Sequence, residues 1–346
     1  MKRESLRVLA LCEKRLVPPE VAAPEEALAA DWKTEYDVIS TLRKRRHEVR
    51  IVGIESDLTP IKIAIEEFKP RIVFNLMDAF ADVGTFDQNV VSYLELLRVP
   101  YTGCNPRGMT LTRDKALAKK LMAYHRIPVP DFAVVPLNHK PKLPKRLHYP
   151  LIIKSLTYES STGISQASVV SNDEQLNKRV QYIHDTILTP AIIEEYIDGR
   201  EMYVGVLGNQ RLQVLPVWEM SFAKMTDQHW KIATDRVKWS VKYQKKHGID
   251  TAEAELPEGI APRVQHLAKR VFRALDMNGY GRIDFRVTAD GRIHVIEANP
   301  NAQLAQDEDF AQSAKKAGIA YGRLLERIMA IGLQWQPTRM AFTPEA

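Results

Sequence analysis

Three apolar runs near the start of the chain, "LRVLAL", "VRIVGI" and "RIVFNL", are separated by segments around Tyr36 to Arg46, Pro60 to Phe68 and Phe86 to Leu97 with helical spacing of apolar residues. Short runs without polar alternation are strands covered on both faces, and strand-helix alternation closes into a parallel sheet. The first hundred residues thus predict one α/β domain ending near "VPYTGCNPRG", whose ligands gather at the carboxyl ends of its strands. A helix at about Arg113 to His125 follows, with Leu117, Leu121 and Met122 on its apolar side and Pro128 and Pro130 to stop it. From Asp131 to Gly199 the short strands "FAVVPL", "PLIIKS" and "AIIEEYI" and one helix make a small α+β unit. The remainder holds more strands, a long polar segment from Ser221 to His247, a helix opened by Pro262 and ended by Gly279, and a final helix to about Ile328. This predicts three domains, 1–112, 113–201 and 202–346.

A chain of 346 residues, 45% hydrophobic and 27% charged, has the content of an ordinary soluble protein. No apolar run reaches the roughly 18 residues of a membrane helix, and the apolar stretch after "MKRES" is too short for a signal peptide, so a cytoplasmic protein is expected. Cys12 and Cys104 can form neither a disulfide framework nor a zinc site. The net charge of +6 suits a phosphate-bearing ligand. It argues weakly for nucleic acid, since the basic residues are scattered and no stacking-aromatic motif accompanies them.

The stretch "GRIDFRVTADGRIHVIEANPN", Gly281 to Asn301, carries the chemistry. Asp290-Gly291 is a strong signal for a two-residue hairpin turn, and a turn there sets Asp284 opposite Glu297 and Arg282 opposite Asn299. Facing residues project from one side with Cβ atoms about 5 Å apart, where two like charges need a neutralising partner. Ile283, Phe285, Val287, Ile296 and Ala298 would form the opposite, core face. Two carboxylates and an amide oxygen suit Mg²⁺, which completes its shell with water and substrate phosphates. The alternative is a solvated face whose acids pair with Arg282, Arg286 and Arg292.

Neither a Walker-type loop nor a dinucleotide-binding glycine fingerprint is present. "PLIIKSLTYESSTGIS" offers another phosphate holder, with Lys154 ending a strand and a loop containing Ser160, Ser161, Thr162 and Gly163 able to approach phosphate oxygens and close over them. Taken alone, a lysine at the position of Lys154 is more often a surface lysine at a strand end. "IIEEYIDGRE" reads as an edge strand entering a turn, with Glu194, Glu195 and Glu201 around it; an acidic edge that resists aggregation is the competing explanation.

In order, "TRDK", "IIKSLTYESSTGIS", "IIEEYIDGRE", "GYGRIDFRV" and "HVIEANPN" resemble the ATP-grasp superfamily and, within it, the D-alanine:D-alanine ligase branch, over nearly the whole chain. The resemblance implies the two α+β domains of an ATP-grasp fold after the α/β domain, with ATP between them. It places Lys115 and Lys154 on the phosphates, Glu194, Glu195, Tyr196 and Ile197 around adenine, and Glu201 on the ribose. Asp284, Glu297 and Asn299 become metal ligands, for two Mg²⁺ ions or Mn²⁺ in their place. The implied reaction joins a carboxylate to an amine through an acyl phosphate, with Arg282 stabilising the intermediates and Lys242 of the polar segment reaching the transferred phosphate. A homodimer through the first domain is common in the branch.

Departures fall on the amino-acid side. Where the family has a glycine-rich loop and a glutamate for the first D-alanine, this chain has "LALCEKRLVPPEVAAPEE", leaving Glu13, Glu25 and Glu26 open as substitutes. A family histidine corresponds to Asp78, and past "EANPN" stand Gln303 and Glu308 in "AQLAQDEDF". Asp307, Glu308 and Asp309 would repel a substrate carboxylate, although a helix start explains them as well. The expectation is a ligase for an amino acid or small peptide other than D-alanine. D-alanine:D-alanine ligation is the runner-up, and a catalytically silent nucleotide-binding protein acting through partners is the alternative of another class.

Overall fold

The computed structural model describes residues 5–335 apart from Val21, Ala23, Ala29, Glu159, Ser160, Asp227 and Gln228. The strand Arg7–Glu13 lies between Glu48–Ile54 and Ile72–Asn75, all parallel. Its alternate residues feed two cores: Leu9 and Leu11 cluster with Ile61 and Ala64, while Val8 and Ala10 cluster with Val38, Ile39 and Leu42. Coverage on both faces is why the run is apolar throughout.

Two antiparallel sheets follow. One has four strands, in the order Phe132–Val135, Ala191–Glu195, Leu151–Ser155, Val169–Val170. The other runs Ile249–Glu253, Trp218–Phe222, Arg200–Leu207, Tyr280–Val287, Ile293–Pro300, with Gln213–Val214 added beside Arg200–Leu207. The fold is therefore the mixed one expected, a parallel α/β layer ahead of two antiparallel α+β sheets. Among the described residues no helix is long and apolar enough to cross a membrane.

Helix boundaries depart from the sequence reading where side-chain hydrogen bonds intervene. The helix expected from Arg113 to His125 runs over Lys115–Tyr124, and a separate helix, Pro106–Arg113, precedes it; Asp114 divides them, leaving the helical conformation while its carboxylate accepts from the Leu117 N–H at 2.8 Å. The helix Ile260–Ala274 begins before Pro262 and ends well short of Gly279. Gly279 serves a close approach instead: a Cβ there would lie 2.1 Å from the Gly103 carbonyl oxygen. The last helix is likewise two, Asp309–Lys316 and Tyr321–Gln334, with Gly318 at φ +78 between them.

The first layer is pinned to the six-stranded sheet at this close approach. The Cys104 N–H donates to Asn301 Oδ1 at 2.7 Å and the Asn105 N–H to Asn278 Oδ1 at 2.6 Å. Asn105 and Asn278 are buried, so each bond satisfies groups that water cannot reach.

Candidate active site

In the hairpin Asp284 stands opposite Glu297 and Arg282 opposite Asn299. The expected two-residue turn, however, is absent. The Thr288 N–H still reaches the Arg292 carbonyl at 3.0 Å, so the chain reverses over Ala289-Asp290-Gly291, with Gly291 at φ +78. Near this loop the pairs are Phe285–Val295, Arg286–His294 and Val287–Ile293, out of step with the pairs beyond, and Ile296 is the extra residue of a β-bulge. The longer loop and the bulge offset each other, which is why the acids still meet. Ile296 is consequently not in the core as expected; it is half-buried on the cleft wall, while Ile293 and Val295 fill the core.

Four cations surround the two acids. Arg282 grips Asp284 through two bonds, Nε to Oδ1 at 2.8 Å and an η nitrogen to Oδ2 at 3.0 Å, while its guanidinium lies over the Tyr203 ring. Lys115 Nζ stands 2.9 Å from Glu297 Oε1 and donates to the Tyr158 carbonyl at 2.6 Å. Burial raises the Glu297 carboxyl, and the ammonium groups of Lys115 and Lys154 overcome it and bring it to about 2. Burial also raises the Asp284 carboxyl, against the pull of Arg282. The ion-pairing alternative thus holds for Asp284, but Arg286 pairs with Glu201 and Arg292 with Asp290, and the acid face is enclosed rather than solvated.

A deeper layer explains the lysine positions. Glu194 is 1% exposed, with Lys154 Nζ 2.9 Å from Oε2 and Lys119 Nζ 3.3 Å from Oε1. Lys119, itself 1% exposed, also donates to the bulge carbonyl of Ile296 at 2.8 Å. Burial opposes the charge on Glu194, yet the two lysines hold its carboxyl below the usual range. Helical spacing did not reveal Lys119, since it occupies the apolar face of Lys115–Tyr124 beside Met122. Its signal was a lysine in phase with core residues.

Glu194 therefore turns toward the lysines, whereas Glu195, Tyr196 and Ile197 continue along the cleft wall. Tyr196 meets Trp230 edge-on at 5.0 Å. Glu201 lies nearby, accepting from Arg286 at 2.7 Å and from the Tyr203 hydroxyl at 2.8 Å. Ser160 falls outside the described residues. The Ser161 hydroxyl donates to the Ala233 carbonyl at 2.7 Å, joining the small-residue loop to the polar segment.

Lys242 does not reach the cleft. It is exposed on the helix Val241–His247, whereas Lys238, on the separate short helix Asp235–Trp239, lines the cleft, where its charge opposes the burial of Asp284 and adds to the lowering of Glu297. Spacing alone could not separate two lysines in one polar segment. K238A is expected to cut turnover at least about 100-fold and K242A less than about two-fold, measured as ADP release.

A larger cavity of about 630 Å³ opens between the first layer and the six-stranded sheet and contains Glu13, Asp78, Arg282, Asn299, Gln303 and Glu308. Of the three glutamates left open, Glu13 lines it, while Glu25 and Glu26 are exposed elsewhere. Glu35, not singled out in the sequence, lines it too. Burial, then Asp78 and Glu13, push the Glu35 carboxyl up to about 8. A carboxyl raised on folding favours the folded state fully below its unfolded value near 4.5 and loses that contribution as pH climbs through about 8. E35Q is therefore expected to be more stable than the parent above pH 8, by at most roughly 5 kcal/mol, with the gap closing toward acid pH in denaturant titrations.

Asp284, Glu297 and Asn299 fit Mg²⁺ by the chemistry of their donors: two carboxylates and an amide oxygen on one face of the hairpin. Among the described residues no three His, Cys, Asp or Glu side chains group as a metal cage.

An antiparallel pair of sheets enclosing a cleft of lysines and facing acids defines the class: an ATP-dependent ligase of the ATP-grasp superfamily. The family profile described as "D-ala D-ala ligase C-terminus" matches residues 121–330. A D-alanine–D-alanine ligase of Syntrophotalea carbinolica is 31% identical over 252 residues, 70% of this chain and 74% of that protein. The protein y4sG of Sinorhizobium fredii, described as uncharacterized, is 28% identical over 303 residues, 85% of each chain. The D-alanine–D-alanine ligase of Bacillus anthracis in complex with ATP superposes with a TM-score of 0.73 at 21% identity, covering 95% of this chain and 98% of that one. The chain belongs to the D-alanine–D-alanine ligase family.

Proposed function

We propose that the protein joins an amino-acid carboxylate to an amine with conversion of ATP to ADP and phosphate. The observation that carries this is the pair Asp284 and Glu297, which face each other in the hairpin, Asp284 paired with Arg282 and Glu297 with Lys115, in a cleft that Lys154 and Lys238 also line. Such an array neutralises charge without offering a covalent nucleophile, which is what phosphoryl transfer requires.

Glu195, Tyr196, Ile197 and Ile296 would enclose the base and Glu201 the ribose, with Arg286 fixing the orientation of Glu201. Lys115 and Lys154 would hold the phosphates. Asp284, Glu297 and Asn299 would hold Mg²⁺, which would supply charge neutralisation at the phosphates; the resemblance implies a second ion at the same acids. A substrate carboxylate oxygen attacks the γ-phosphorus and ADP leaves. The amine of the second substrate then attacks the acyl carbon, the C–N bond forms, inorganic phosphate leaves and the amine gives up a proton. Arg282 stabilises the oxyanion on this path, and Lys238 the phosphoryl group in transfer.

D-alanine as both substrates is the reading favoured by the relatives' names, ahead of the sequence-based expectation of another amino acid. The specific observation on the other side is the acidic wall at Asp307, Glu308 and Asp309. Incubation with Mg·ATP and a panel of amino acids, read by mass spectrometry, tests the reaction: a product of mass equal to both reactants minus water is expected, with one ADP per product. Tight ATP binding without any such product would leave the silent-binder alternative in place.

A further inference from the structure

The floor of the larger cavity holds polar atoms that the reaction leaves unused. Glu13 is 6% exposed and Glu35 4%, and Glu13 Oε1 and Glu35 Oε2 have no hydrogen-bond partner. Both residues line the cavity, as does Asn75, 2% exposed, whose Nδ2 is also unpartnered. A buried carboxylate oxygen without a donor is costly, and the cavity that both side chains line is the open space beside them. The remaining oxygen of Glu13 is occupied by Arg15 at 2.8 Å. Glu35 sits in the first turn of Lys33–Lys44, where the helix dipole favours an acid. That explains an exposed acid there; it does not explain one enclosed on the same helix as Val38, Ile39 and Leu42.

We propose that Glu35, beside Glu13, forms a subsite for a second ammonium group, so that the amino-acid substrate is a diamino acid, an alanine-like molecule with a cation on its side chain. One ammonium meets Glu13 and the other Glu35. An ammonium group brings three N–H donors and a positive charge, supplying what the two orphaned oxygens lack. Asp78 adds negative potential at the same place, and the raised Glu35 carboxyl is what a cation would draw into its charged form.

The inference rests on the ligase reading, and the experiment separates the two. With Mg·ATP, ADP release and product mass are compared for alanine, 2,3-diaminopropionate, 2,4-diaminobutyrate, ornithine and lysine, in both hands, for the parent protein and E35Q. At least one diamino acid is expected to exceed alanine of the same hand about ten-fold or more in kcat/KM, and E35Q to reduce that ratio at least about ten-fold. The E35Q side chain is isosteric, and its melting curve reports that the fold is retained. Alanine turnover with no diamino preference, or a preference unchanged in E35Q, overturns the subsite and leaves the ligase standing. No ADP release from either class of amino acid overturns the ligase reading and the inference with it.

Discussion

Glu297→Gln is expected to lower turnover by about 10³-fold while the protein stays folded. The substitution keeps the shape and removes one of two facing charges, so the site loses the anion that would draw in a divalent cation. Lys115, now 2.9 Å from the carboxylate, would lose its counter-ion but would gain freedom to meet a phosphate. Affinity for an unreactive ATP analogue should therefore change less than ten-fold, and the Mg²⁺ concentration giving half-maximal rate should rise. ADP release measured across a Mg²⁺ series checks both. Turnover within ten-fold of the parent at ordinary Mg²⁺ would show that the acid pair does not serve the chemistry.

Glu194→Gln should be the most destabilising single change in the cleft. It leaves Lys119 and Lys154 buried at the same point without the acid between them, and removing one partner from a buried ionic group costs on the order of 3–5 kcal/mol. Adding K119M to E194Q removes one of the stranded cations, so the double variant should be more stable than E194Q alone. Urea unfolding of the parent, both single variants and the double variant gives the coupling. Strict additivity would mean that Lys119 and Glu194 act independently, against the geometry.

The sequence was most informative where one physical rule acted alone. The parallel layer was legible because burial on both faces leaves no other pattern for Val8 to Leu11. In the hairpin two rules acted together: the pairing of Asp284 with Glu297 was foreseen through a turn that does not form, and the bulge at Ile296 supplied the correction. Periodicity sorts residues by polarity, so it put Leu117, Leu121 and Met122 on one side of their helix; Met122 is buried, Leu117 and Leu121 are half-buried, and Lys119, whose burial depends on a distant acid, was passed over. Glu35 escaped notice for the same reason, since its setting is made by the ends of other strands. Lys238 and Lys242 share a segment whose conformation no local pattern specifies, and only tertiary structure separates them.

The extra residue in the strand Ile293–Pro300 works as a phase step. On its near side Ile293 and Val295 point into the core, on its far side Ala298 does, and between them Ile296 and Glu297 look the same way in succession. A regular strand cannot give two consecutive side chains to one surface. Deleting Ile296 would restore strict alternation without separating the acids, while stripping the greasy half of the wall and the carbonyl that anchors Lys119. A single chain-length change there would uncouple where a ligand rests from where it reacts.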